Sequence, residues 1–376
     1  MIRLLLSIAF AVTMAAGTLP PWTRGTLDIH QISTGRGNAA FFVFPDGTTM
    51  LVDAGAAGDG IEYTDPRPNK THTPGGWIVR YVERMMAPQA ARIDYAVLTH
   101  FHVDHMGGIT EVGTAIPIGK LIDRGMDYLP PPSDAMIKNY VAFLADQKLK
   151  HETIRVGAAD QITLRDRDAF KNFEVRNVAA NGEVWSGEGD GSKRIFPPLA
   201  SIDKEDKPSE NMCSIGLRIR YGKFDYFTGG DIPGVPDPGS PDWTSVETAV
   251  ARAIGPTDVH VVNHHGSISP ESAFFLATLK SAVMILPAWS PTHPSQDVLK
   301  RMMTMRLYPG PHDIFVTTLR EPTKASIGPR VSQLKATHGH IVVRVAPGGD
   351  HYQVFVLDDT SEEMNVIGTF GPYVSQ

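Results

Sequence analysis

The stretch "LTHFHVDHMGG", residues 98–108, sets three histidines and an aspartate within six positions and closes on two glycines. On extended backbone, side chains two apart point the same way, so His100 and His102 present two imidazoles to one point. If the chain then turns into a helix, Asp104 and His105 swing to an adjacent point, and Gly107 and Gly108 permit the close backbone turn. Nitrogen and carboxylate ligands without thiolate suit Zn2+ first, with Mn2+ or Fe as alternatives. A shuffled chain with 14 histidines in 376 residues shows H-x-H-x-D-H about once in a thousand tries, so a polar loop is the weaker reading.

Working outward, "IDYAVLTH" (93–100) is an apolar strand that delivers the motif at its C-terminal end, where ligand sites gather in sheets flanked by helices. Other strand ends carry matching chemistry. Asp231 ends "FDYFTGGD", and His264 and His265 end "DVHVVNHHGS". Asp53, in "LVDAG", stands where it can orient a ligand imidazole from behind. Asn263 and Ser267 flank the paired histidines and are candidate substrate contacts.

Between these points the chain reads as strands and helices in alternation. "AAFFVFP" (39–45) and "TTMLVDAG" (48–55) form a hairpin turning at Asp46 and Gly47. Residues 56–76 read as loop, 77–87 as a helix, and 135–148 as a second helix capped by Ser133 or Asp134. A strand is expected at 173–180, a long polar surface loop at 181–211, and a hairpin at 214–231. Helices at 245–254, 270–280 and 295–306 then alternate with strands at 258–265, 282–287 and 312–318, before a closing hairpin at 340–347 and 352–358. Such an order argues for an α/β layered sandwich, two sheets packed together with helices outside, as one domain over 20–376.

Composition agrees with a folded chain: 42% of residues are apolar, 20% charged, and 35 Gly with 29 Pro supply many turns. Arg3 followed by the apolar run 4–16 and small residues has the layout of a signal peptide over 1–19, too short to span a bilayer comfortably. The expectation is a secreted or periplasmic protein with no membrane anchor after cleavage. Cys213, the single cysteine, excludes an intramolecular disulfide and a thiolate cluster and reads as a small buried strand residue. The net charge of -6 becomes -7 once Arg3 leaves, which makes long nucleic acid an unfavourable partner.

With these residues in place, "THFHVDHMGG", "LVDAG", "TGGD" and "NHHGS" together resemble the metallo-β-lactamase-fold hydrolases. "ENMCSIGLRIRYGKFDYFTGGD" followed by "HHGS" looks most like the hydrolase domain of bacterial DNA-uptake competence proteins and like the phosphorylcholine esterases. The resemblance runs over about residues 26 to 350 and implies an αββα sandwich holding two metals, expected to be zinc, between strand ends. It implies His100 and His102 on the first metal, Asp104 and His105 on the second, and Asp231 bridging. Of the paired histidines, His265 is favoured as the last ligand because glycine follows it, leaving His264 as a catalytic or substrate-contacting neighbour. Many relatives carry a further first-site histidine some twenty residues before the bridging aspartate. Here that place falls near Asn211, which offers a weak carbonyl ligand or a hydrogen bond.

The activity implied is hydrolysis by metal-activated water, with Asp104 also holding or accepting a proton. A small or envelope-derived phosphoester or phosphodiester is the first expectation. A lactone, thioester or β-lactam is the second, and a metal-binding protein without turnover the third. His72 is the one further histidine with a chance of rimming the site; the others read as surface or core residues.

Overall fold

The computed structural model describes residues 17–58, 62–131 and 135–376. Most of the expected signal peptide, and the expected helix cap at Ser133 or Asp134, lie outside these residues. Among the described residues, no helix is long and apolar enough to cross a membrane.

Two mixed sheets face each other. Among the described residues the first has nine strands, in the order Val366–Val374, His351–Leu357, His340–Val345, Leu27–Gln31, Ala40–Val43, Thr49–Val52, Ile93–Val97, Ile118–Asp123 and His151–Thr153. The second has eight: Asp313–Val316, Val283–Leu286, Val259–Val261, Phe224–Thr228, Gly216–Tyr221, Phe173–Ala180, Glu183–Trp185 and Ser192–Arg194.

The period of two along each strand decides which layer a side chain joins. Ala40, Phe42, Met50 and Val52 point between the sheets, where they meet Leu217, Ile219, Tyr226, Val259 and Ile285 of the second sheet. Phe41, Val43 and Leu51, one position out of phase, point outward onto Ile78, Tyr81, Val82 and Val112 of the covering helices. On the far side Val246, Val250 and Phe275 cover the second sheet beside Phe227, and Val298 and Met302 cover it beside Met284 and Leu286. The layers are therefore helix, sheet, sheet, helix, as the alternation of elements predicts.

Several elements depart from the sequence reading. The first helix spans Pro74–Met86, starting within the expected loop, because Thr73 accepts a hydrogen bond from the Gly76 amide and Pro74 fits the first turn. Gly75 allows that start: a Cβ there would lie 3.2 Å from the Gly108 Cα, so the helix rests directly on the second glycine of the opening motif.

The expected loop at 181–211 contains the short strands Glu183–Trp185 and Ser192–Arg194 and three-residue helical turns. Cys213 is buried, but in such a turn (Asn211–Cys213) rather than in a strand. The strand expected at 258–265 is only Val259–Val261; His264 and His265 lie beyond it in the turn Asn263–Gly266. The closing hairpin gains a third strand, Val366–Val374, at the edge of the first sheet.

Candidate metal centre

Thr49–Val52 and Ile93–Val97 run parallel, so Asp53 and the stretch beginning at Leu98 leave the first sheet at the same end. Asp53 then fastens that end together. Its Oδ1 accepts from the Thr99 amide at 2.8 Å, and its Oδ2 from the Thr99 hydroxyl at 2.8 Å, Asn38 Nδ2 at 2.9 Å and His105 Nδ1 at 2.7 Å. The backbone adopts left-handed φ of 59° to bring the carboxylate round. Gly107 and Gly108 let the following short helix settle on the Ala54–Ala57 segment, since a Cβ on them would fall 2.2 Å from Ala57 N and 2.3 Å from Ala54 O.

A second brace has no local signature in the sequence. Glu210 Oε1 accepts the Phe101 amide at 2.8 Å, between the two histidines of the motif. The same carboxylate takes Arg124 through Nε at 2.7 Å and Nη2 at 2.6 Å. Arg124 is fully buried, with its guanidinium 4.6 Å from the centroid of the Phe101 ring. Extended backbone from Thr99 to His102 is thus gripped by Asp53 at one end and Glu210 in the middle.

Among the expected residues, His100, His105 and His265 face the Asp231 carboxylate directly, and His102 and Asp104 stand behind them against His100 and His265. On one side, Oδ1 lies 3.2 Å from His105 Nε2 and 3.6 Å from His265 Nε2. Those two nitrogens are 3.1 Å apart, and His265 Nε2 is 3.3 Å from Asp104 Oδ2. On the other side, Oδ2 lies 3.7 Å from His100 Nε2, which is 3.1 Å from His102 Nδ1. Ligating atoms of His100, His105 and Asp231 fall within 4.8 Å of one another, and so do those of Asp104, His105 and His265.

The proton inventory says what these atoms require. His265 Nδ1 faces the Pro287 carbonyl at 3.0 Å and must donate to it, which leaves a lone pair on Nε2. His105 Nδ1 donates to Asp53, which leaves its Nε2 likewise. Thr99 spends its hydroxyl proton on Asp53, so its oxygen accepts from His100 Nδ1 at 3.1 Å, and a third Nε2 lone pair turns inward.

Lone pairs at such separations are relieved by a cation between them, either a proton or a metal ion. Asp231 Oδ1, buried yet without a hydrogen-bond partner, needs one too. Four donors around a tetrahedral zinc with bonds of about 2.0–2.1 Å stand about 3.3–3.4 Å apart, close to the spacings seen here, so the residues present fit the metal.

The field agrees. Burial opposes charge on His105, yet the carboxylates of Asp231 and Asp53 hold its pKa well above the ordinary value. Burial likewise opposes ionisation of Asp231, yet His105, His265 and His264 hold its carboxyl well below the usual range.

The remaining expected residues are placed differently. His264 is partly exposed; its Nε2 lies 3.8 Å from Asp231 Oδ2 and 3.2 Å from Asn211 Nδ2, and its Nδ1 is 2.8 Å from Ser267 Oγ. Asn263 is fully buried, its amide donating to Glu247 Oε1 at 2.9 Å, so it shapes the turn from inside instead of lining the cleft. His72 packs edge-on against Trp77, 4.7 Å between ring centroids, and joins neither cluster. His293, read from the sequence as an ordinary core or surface residue, stacks on His265 at 5.5 Å, with Trp289 edge-on to both. Beside His264 and Asn211 opens a cavity of about 280 Å³, with Ser209, Pro233, Val235 and Ser269 in its walls.

Asp53→Asn tests the brace at His105. Loss of the charged acceptor is expected to weaken zinc binding about 10–100-fold, as measured by competition with a chromophoric chelator. Unchanged affinity would show that Asp53 does not orient the imidazole.

Residues 33–144 match the model of the metallo-beta-lactamase superfamily, and the layer order is that of the metallo-β-lactamase fold. No curated protein matches the chain. Among solved structures, Zn2+-bound PqqB from Methylobacterium extorquens is similar at 13% identity and a TM-score of 0.44, over 84% of this chain and 99% of that one. The metallo-beta-lactamase fold protein YhfI from Bacillus subtilis is similar at 12% identity and a TM-score of 0.41, over 85% of this chain and 100% of its own. Igni18, a metallo hydrolase from Ignicoccus hospitalis, is similar at 12% identity and a TM-score of 0.34, over 89% of this chain and 100% of its own.

Proposed function

We propose that this chain, whose fold is that of the metallo-β-lactamases, is a two-cation hydrolase acting on a small phosphoester or phosphodiester. The observation that carries the reading is the Asp231 carboxylate, whose Oδ1 faces His105 and His265 and whose Oδ2 faces His100 and His264. His100, His102 and Asp231 Oδ2 would hold the first cation; Asp104, His105, His265 and Asp231 Oδ1 would hold the second. Zinc suits this donor set, with Mn2+ or Fe as lesser fits. Two cations in this position lower the pKa of a water toward neutrality and offset negative charge developing on the ester.

The protein's own groups do the rest. Asp53, Thr99 and the Pro287 carbonyl fix three imidazoles with Nε2 inward. Asp104 is the most accessible carboxylate of the centre, with 13% of its side chain exposed against 4% for Asp231 and none for Asp53, so it is the one placed to take a proton from an attacking water. No serine or cysteine nucleophile is required.

Three observations support the substrate class. The motifs resemble those of phosphorylcholine esterases and competence-protein hydrolases. The cavity beside His264 is of a size for a headgroup, and with Glu205, Asp206 and Asp237 against Lys207 in its walls it suits a cationic one such as choline. The net charge of -6 works against a long polyanion. The signal-like sequence at 1–19 leads us to place the protein outside the cytoplasm, where envelope-derived esters are at hand.

The test is a substrate panel on the zinc-loaded protein: a bis-aryl phosphate, an aryl phosphorylcholine, a chromogenic lactam and a lactone. Turnover of an aryl phosphate or phosphorylcholine that stops with chelator is the expected result. Turnover of the lactam or lactone alone would overturn the substrate class, and no turnover of any would overturn the hydrolase reading.

A further inference from the structure

The two groups around Asp231 are unequal. The second offers four atoms, namely Asp104 Oδ2, His105 Nε2, His265 Nε2 and Asp231 Oδ1. The first offers only His100 Nε2, His102 Nδ1 and Asp231 Oδ2. A zinc held by nitrogen and oxygen takes four ligands, and when the protein supplies three, water fills the gap.

One more nitrogen faces the same carboxylate oxygen. His264 Nε2 lies 3.8 Å from Asp231 Oδ2, against 3.7 Å for His100 Nε2. It also shares the arrangement of the other inward-facing imidazoles. Ser267 Oγ holds His264 Nδ1 at 2.8 Å, as Thr99 holds His100, Asp53 holds His105 and the Pro287 carbonyl holds His265. Asn211 Nδ2 sits 3.2 Å from His264 Nε2 and donates to its lone pair, a hydrogen bond that a cation at that nitrogen would replace, while Asn211 Oδ1 is buried without a partner.

The backbone explains how adjacent histidines reach opposite oxygens. His264 and His265 both take left-handed conformations, with φ of 46° and 53°. Their rings lie 6.3 Å apart at an interplanar angle of 61°, which sends His265 Nε2 toward Oδ1 and His264 Nε2 toward Oδ2. A strand running through these positions would have turned the two side chains to opposite faces of the sheet instead. Asn211 is the other polar group in reach, and between a neutral amide and an imidazole lone pair the imidazole is the stronger ligand for zinc.

We propose that His264 Nε2 is a fourth protein ligand of the first cation, giving that site three imidazoles and one carboxylate and leaving the water of the proposed reaction to expand its coordination. Asn211 then borders the ligand without binding the ion. The proposal rests on the two-cation reading above.

The test counts metal, not turnover. Each protein is equilibrated with buffered free Zn2+ and its zinc content measured, and Co2+ substitution provides a visible spectrum for each site. The unaltered chain should hold two equivalents. His264→Ala should hold one and lose about half of the cobalt absorbance, whereas Asn211→Ala should keep two. Adding Asn211→His to His264→Ala should restore the second equivalent, because the new imidazole enters beside the vacated position.

If His264→Ala does not fold, Ser267→Ala leaves the imidazole but frees its Nδ1, and first-site affinity should fall about 10–100-fold. Two equivalents at unchanged affinity in His264→Ala would overturn the proposal and return His264 to a proton-transfer role. Loss of metal in Asn211→Ala alone would overturn it in favour of the amide. Fewer than two equivalents in the unaltered chain would overturn the two-cation reading itself.

Discussion

Asp231→Asn is expected to cut bound zinc from two equivalents to one or none and to lower kcat/KM by about 10⁴-fold or more. The substitution keeps the side-chain volume at a buried position, so the sheets and the turn around it have no cavity to fill. What changes is charge and valence. A carboxylate presents one oxygen to His105 and His265 and the other to His100 and His264; an amide presents one weak oxygen and a nitrogen that repels a cation.

Metal catalysis supplies several kcal/mol of transition-state stabilisation, and at about 1.4 kcal/mol per factor of ten a loss of about 5–6 kcal/mol gives the stated drop. Zinc content and steady-state rates on an aryl phosphate measure both effects on one preparation. Full metal content with a rate within tenfold of the unaltered protein would show that Asp231 does not bridge.

Glu210→Ala carries the largest expected effect on stability, a loss of about 3–5 kcal/mol, because it strands the buried Arg124 guanidinium without its partner. Typical domains are stable by only about 5–15 kcal/mol, so the urea midpoint should fall steeply. The Phe101 amide loses its acceptor in the same step, and slack in the Thr99–His102 stretch should weaken zinc binding as well.

A control separates the two consequences. Arg124→Met combined with Glu210→Leu removes both charges and should recover most of the stability, but not the zinc affinity, since the Phe101 amide is still unpaired. A loss below about 1 kcal/mol in Glu210→Ala would mean that the pair is not the brace described.

How much of this was written in the sequence depends on how local each feature is. The motif at His100, His102, Asp104 and His105 is contiguous, and extended backbone followed by a helical turn is enough to aim its side chains. Asp53 follows the apolar strand Thr49–Val52 directly and Asp231 lies three residues beyond Phe224–Thr228, so both stand out as carboxylates at strand ends. The segment at His264 and His265 reads as a strand end because "DVHVV" is β-branched and apolar up to Val262, while the left-handed conformations that follow belong to neither period.

Glu210 lies in the polar run "KPSEN", 86 residues from Arg124, and nothing in either segment announces the pairing. The strands at Glu183–Trp185 and Ser192–Arg194 are three residues each, too short for a period to show. Val366–Val374 contains Gly368, Gly371 and Pro372, which read as turn signals, yet at a sheet edge these residues cost little pairing. In each case tertiary contacts, not local propensity, set the outcome.

The most direct measurement of the central claim is the zinc content of the purified chain, brought to equilibrium with buffered free Zn2+ and determined by elemental analysis with native mass spectrometry. Asp231 shared between two groups of ligands predicts two equivalents bound per chain, both removed by chelator and both regained on adding zinc. One equivalent or none under the same conditions contradicts it.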